Sequence, residues 1–109
     1  MKDDTVYLDH ILDAMDRIQR YTADGRDAFM ADSMIQDAVV WNLEIIGEAT
    51  KGITTDLRKQ HPEIPWKQAA GLRDVLSHDS MSIDLTIVWN VIEFHLPSLR
   101  AAIRSLQDE

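Results

Sequence analysis

The sequence predicts an all-α protein, an up-and-down bundle of four to five helices forming one domain over residues 1–109. Three observations carry this expectation. Apolar residues recur at three- and four-residue steps along most of the chain, the period of a helix with one buried face. No stretch of useful length alternates apolar and polar residues as a half-buried strand would. Glycine, proline and short polar clusters divide the periodic pattern into segments of helix length. With 45% hydrophobic and 28% charged residues, the composition is that of a globular chain and not a disordered one.

The segments follow in order. Val6, Leu8, Ile11, Leu12, Met15 and Ile18 form the first apolar stripe. Asp3, Asp4 and Thr5 before it are N-cap candidates, and Gly25 is placed to end the helix in a left-handed cap. A second helix is expected to begin between Asp27 and Asp32 and to run to about Gly52. Ile35, Ala38, Val39, Trp41, Leu43, Ile45, Ile46 and Ala49 cover most of its circumference. A helix so apolar is central or covered on two sides, which hints at an oligomer. Thr54 or Thr55 then caps a short helix through Arg58 and Lys59, and Pro65 suits the first turn of the next. That helix carries Trp66, Ala69, Leu72, Val75 and Leu76 and stops at the polar run Ser77–Ser80. The last segment starts near Ile83 or Asp84 and carries Leu85, Val88, Trp89, Ile92, Leu96, Leu99, Ile103 and Leu106, with a kink expected at Pro97.

Composition narrows the chemistry. The chain has no cysteine, which removes disulfides, thiolate metal sites and cysteine nucleophiles and suits a reducing cytosol, so a cytoplasmic location is expected. Neither a signal peptide nor a membrane-spanning run is expected. A net charge of −8 argues against broad nucleic-acid binding through clustered lysine and arginine, but leaves room for a small basic site. Gly47–Thr54 has the glycines of a phosphate loop but lacks the lysine after the second glycine, and it lies in a helical pattern. His10, His61 and His95 show no metal-ligand spacing and read as rim residues, and no metal or other cofactor is expected. Trp41, Trp66 and Trp89 fall on apolar stripes and read as core or dimer-interface residues.

Arg73 and His78 carry the one constellation with chemical promise. On an unbroken helix their five-residue step would separate the side chains by about 140°, but a break after Ser77 would let His78 swing back toward the arginine. Arginine can clamp a phosphate and stabilise its developing charge. Histidine can move protons near neutral pH. RNA supplies its own nucleophile in the 2′-hydroxyl, so such a pair can cut it without a metal. The spacing alone is weak, since seven arginines and four histidines yield about 0.3 such pairs per chain by chance. The plainer alternative is a surface ion pair of Arg73 with Asp74 or Asp79 and a helix C-cap at His78.

Longer stretches sharpen the choice. Asn42–Ala49, Pro65–Trp66, Gly71–His78 and Asp84–Ile92 together resemble, in order, the HepT-like branch of the HEPN superfamily over nearly the whole chain. The resemblance implies a HEPN helical bundle that pairs as a homodimer, with the arginine–histidine motifs of both copies in one composite cleft. It implies a toxin that cuts RNA without a metal, encoded beside a minimal nucleotidyltransferase antitoxin. The family motif is arginine, four residues, histidine, one residue, tyrosine. Arg73 and His78 match it, while Ser80 stands where the tyrosine that the antitoxin modifies with AMP is expected.

Two functions are therefore carried forward: a metal-independent RNA endonuclease toxin using Arg73 and His78, and a non-catalytic HEPN module that binds a nucleotidyltransferase or a nucleotide. A purely structural helical subunit is the third and blandest reading. In the first, Asp79 is expected to orient His78, and Asn42 or Glu44 to position Arg73.

Overall fold

A computed structural model describes residues 4–72 and 84–108. All regular structure among these residues is helical. The elements are α1 (Asp4–Tyr21), α2 (Arg26–Ala31), α3 (Ser33–Gly52), α4 (Thr55–Gln60), α5 (Trp66–Ala70), α6 (Leu85–Asn90), a π-helical turn (Val91–His95) and α7 (Leu96–Gln107). Helical backbone passes unbroken through α6, the π turn and α7, so these three act as one rod.

α1 and α3 lie side by side and antiparallel. Arg17 of α1 meets Asn42 of α3, while Asp4 at the other end of α1 meets Thr54 beyond the end of α3. α7 is antiparallel to α1 in turn: Asp16 pairs with Arg100, and Asp9 accepts from Gln107 at 2.9 Å. The core runs between these rods. Leu8, Ile11, Met15 and Ile18 of α1, Val39, Leu43 and Ile46 of α3, and Leu96, Leu99 and Ile103 of α7 are all buried. Each such side chain stabilises the fold by about 1.5–3 kcal/mol relative to exposure. The predicted stripe of α1 is thus the observed one, except at Val6, which is exposed.

The helix boundaries follow local chemistry. Asp32 accepts from the backbone N–H groups of Met34 and Ile35 and starts α3. Asp84 does the same for Thr86 and Ile87, and Thr54 caps α4 through Leu57. Asp32, at the later end of the range expected for the start of the second helix, caps α3, and α2 precedes it as a separate short helix that the sequence reading did not set apart. Gln36 secures the boundary by donating to the carbonyls of Phe29 and Met30, which end α2. Gly25 has the expected positive φ of 94°, but with ψ −174° it precedes α2 instead of closing α1 as a left-handed cap.

The kink expected at Pro97 takes a different form. Buried positions along the last rod step from Val88 to Val91, then five residues to Leu96, then to Leu99 and Ile103. An α-helix would turn a five-residue step about 140° away from the core. The π turn absorbs it, and the N–H of Leu96 bonds to the carbonyl of Val91. Pro97, which has no N–H to donate, then falls in the first turn of α7.

One close approach fixes the α1–α3 spacing. Tyr7 lies against Gly52, where a Cβ would come within 2.7 Å of ring atoms Cδ1 and Cζ. Gly52→Ala gains about 1 kcal/mol of helix propensity but must displace the ring, at a cost of about 1–3 kcal/mol. The variant should melt at or below the wild-type temperature. Removing the ring as well (Tyr7→Ala) should turn Gly52→Ala into a stabilising change in a double-mutant cycle. Purely additive melting shifts would show that the contact does not set the spacing.

Candidate functional site

Asn42 and Glu44, both expected to support Arg73, face different surroundings. Asn42 is buried between α3 and α1. Its Oδ1 accepts from Arg17 Nε at 2.7 Å, and its Nδ2 donates to the carbonyl of Ala38 at 2.8 Å. Both functions of the amide are engaged inside the bundle. Two residues on, a rotation of about 200° carries Glu44 to another face. There it is half-buried and lines an open groove of about 820 Å³ with Tyr7, His10, Trp41, Glu48 and Lys51. Trp41 is 62% exposed on this groove, so of the three tryptophans it alone stands clear of the core. Trp66 is buried, its Nε1 donating to the carbonyl of His61 at 2.9 Å. Trp89 is half-buried, its ring 5.4 Å from that of Phe29.

Arg73, His78, Asp79 and Ser80 lie outside the described residues, which stop at Leu72 and resume at Asp84. Both flanks are well anchored. Upstream, Trp66, Ala69 and Leu72 are buried against the bundle. The link into α5 is held by His61 and Glu63, 3.2 Å apart. Glu63's own backbone N–H, and then the His61 ring, hold its carboxyl below the usual carboxylate range. Downstream, Asp84 caps α6. Among the described residues no group of three or more histidine and carboxylate side chains is arranged to hold a metal ion. No described helix is long and apolar enough to cross a membrane.

One polar pair beside the upstream flank has no counterpart in the sequence reading. Gln68 Nε2 of α5 lies 3.1 Å from His95 Nδ1 of the π turn. His95, Gln68 and Leu72 line one small cavity with Leu96 and Leu99. The two partners stand 27 residues apart in different elements, so no local spacing could have revealed them.

The Ribonuclease HepT-like family model matches residues 11–106. The chain belongs to that family. A Thermococcus cleftensis protein named "Probable ribonuclease HepT" is 37% identical over 102 residues, 93% of each chain. A Methanocaldococcus jannaschii protein, named as a gamma-glutamylcyclotransferase and, provisionally, an RNase, is 38% identical over 109 residues. Those residues are 99% of this chain but 49% of that protein, so this chain spans about half of that relative's length. Among solved structures, the tri-AMPylated Shewanella oneidensis HEPN toxin in complex with MNT antitoxin superposes with a TM-score of 0.72. It is 26% identical, and the match covers 100% of both chains. The resemblance read from Asn42–Ala49, Gly71–His78 and Asp84–Ile92 therefore stands, and the HepT-like bundle has the fold of a HEPN toxin.

In this HepT-like chain the Asn42 side chain is engaged within the bundle, which makes a direct prediction. Asn42→Ala should leave the Arg17 guanidinium short of a partner and cost on the order of 1–3 kcal/mol, lowering the melting temperature by several degrees. Unchanged melting would show that the Arg17–Asn42 bond does not help to hold α1 against α3.

Proposed function

We propose that this chain is the toxin of a HEPN/nucleotidyltransferase toxin–antitoxin pair, a metal-independent endoribonuclease of the cytoplasm that works as a homodimer. The observation that carries the reading is the pair Arg73 and His78, four residues between them, inside a HepT-like match that spans residues 11–106. Two further facts support it. Relatives bear ribonuclease names, and the fold matches a HEPN toxin solved in complex with MNT antitoxin.

In this mechanism Arg73 binds the scissile phosphodiester through paired N–H donors and offsets the charge that gathers on its oxygens. His78 takes the proton of the 2′-hydroxyl as the 2′-oxygen attacks phosphorus. A new P–O2′ bond forms, the P–O5′ bond breaks, and a proton is delivered to the departing 5′-oxygen. The products are a 2′,3′-cyclic phosphate and a free 5′-hydroxyl, with no change in oxidation state and no metal. One imidazole cannot take a proton and give one at the same moment. Pairing with a second copy across a twofold axis supplies a second histidine and a second arginine in one cleft. Asp79 would fix the tautomer and orientation of His78, and Glu44 would hold Arg73.

Ser80 bears on regulation. It offers a hydroxyl, but not the length or acidity of the tyrosine that the family motif carries at this place. A nucleotidyltransferase antitoxin could restrain this toxin by binding alone. The same departure, with the net charge of −8, favours the second reading, a non-catalytic module that binds the nucleotidyltransferase or a nucleotide.

Purified protein incubated with total RNA and tRNA in excess chelator separates the two. Wild type should cut, whereas Arg73→Ala and His78→Ala should each lose at least about a hundredfold in rate, the scale of one transition-state donor or one general base, while keeping wild-type melting. Unchanged cleavage by both variants would remove these residues from the mechanism. No cleavage by wild type, with tight binding to the nucleotidyltransferase, would establish the interaction module.

A further inference from the structure

The last rod carries a main-chain carbonyl that its own helix leaves without a donor. The N–H of Leu96 bonds to the carbonyl of Val91, five residues back, and not to that of Ile92. The next residue in that register is Pro97, which has no N–H to give. No described side chain donates to the Ile92 carbonyl either. A main-chain acceptor beside apolar side chains is a strong hydrogen-bonding group, and here its partner must come from outside the chain.

That carbonyl borders a cavity. A recess of about 190 Å³ opens between the C-terminal half of α1 and the rod, walled by Met15 and Ile18 on one side and by Ile92, Leu96 and Pro97 on the other. In a helix each carbonyl points along the axis toward the residue four further on. The oxygen of Ile92 therefore lies on the strip between Ile92 and Leu96, the strip that faces the recess. Turns of the π type recur at functional sites, and this one creates an acceptor where a continuous α-helix would have none.

The other polar groups around the recess are engaged. The hydroxyl of Thr22 donates to the carbonyl of Ile18 at 2.8 Å. Arg100 is paired with Asp16. An anion approaching Arg100 meets the carboxylate of Asp16, and a cation meets the guanidinium, so the recess favours a neutral guest. What it offers such a guest is apolar wall and one acceptor. An apolar cavity of about 150 Å³ holds a benzene ring, so this one has room for a single ring or two small fused rings.

We propose that the recess between α1 and the π turn is a binding site for a small neutral aromatic molecule with one N–H or O–H donor, of the indole or phenol class. The ring lies between Met15 and Ile18 on one side and Leu96 and Pro97 on the other. Its donor bonds to the carbonyl of Ile92. A guest held in this way touches two elements at once and ties α1 to the rod. The site does not depend on the ribonuclease reading.

Indole is the probe, and indene, which has the same fused-ring shape and no N–H, is its control. Each is titrated into the full chain labelled with carbon-13 and nitrogen-15, and the backbone amide and carbonyl resonances are followed. Indole should bind with Kd on the order of 0.1–1 mM, the range open to so small a ligand. Shifts should gather at Met15, Ile18 and Leu96, and the carbonyl resonance of Ile92 should move. Indene should bind about fivefold more weakly, the scale of one hydrogen bond, and leave that carbonyl nearly in place. Gln19 stands exposed at the mouth of the recess, so Gln19→Trp can fill it from a position that the fold does not need. This variant should lose indole binding and keep wild-type melting. Equal affinity for indole and indene, with the Ile92 carbonyl unmoved, would overturn the proposal. So would shifts gathered elsewhere on the chain, unchanged affinity in Gln19→Trp, or no shifts up to the solubility limit of indole.

Discussion

α1 and α3 pair over their length under two fixed contacts. Near the start of α1, the ring of Tyr7 rests where Gly52 has no side chain. Toward the opposite end, Arg17 and Asn42 satisfy each other, with Ile18 and Val39 still buried beyond them. Asp4 completes the clamp by accepting from both the backbone N–H and the hydroxyl of Thr54, at 2.9 and 2.7 Å. The same threonine caps α4 through Leu57, and Arg58 of α4 donates to the carbonyl of Thr50 near the end of α3. α7 then aligns on α1 through Asp16–Arg100 and Asp9–Gln107. The placement of α5, and with it the point at which the chain departs toward Arg73, is set by packing Trp66, Ala69 and Leu72 on this frame.

Much of this was written in periodicity and caps. The stripe of α1 from Leu8 to Ile18, the end of α3 at Gly52, the Thr54 cap and the start of the last rod at Asp84 all follow from rules that act within four or five residues. What escaped the sequence reading depends on contacts between distant segments. Asp32 looked like one more residue near a helix start, yet its cap, with Gln36 reaching back to Phe29 and Met30, is what separates α2 from α3. The five-residue step from Val91 to Leu96 reads as a flaw in an α pattern until the π turn shows it to be the register of a buried face. Trp41, read from the sequence as a core or dimer-interface residue, is 62% exposed, so a place in the core is the alternative that falls.

The site shows the same division. Arg73 and His78 could be named only as candidates, from a family motif that is local, and they lie outside the described residues. Asn42 and Glu44 could be named but not told apart, because only the turn of the helix against α1 sends one inward to Arg17 and the other to the open groove. The Gln68–His95 pair could not be named at all, since it exists only once α5 is laid against the π turn.

The central chemical claim is that RNA supplies the nucleophile and the protein supplies charge and proton transfer. Phosphorus-31 NMR of a short RNA cut to completion in excess chelator tests this at the bond that matters. The account predicts new 3′ ends carrying a 2′,3′-cyclic phosphate, or the monophosphate formed when it opens, opposite free 5′-hydroxyls. New 5′-phosphates opposite free 3′-hydroxyls would mean that water attacked instead of the 2′-oxygen, and would contradict it.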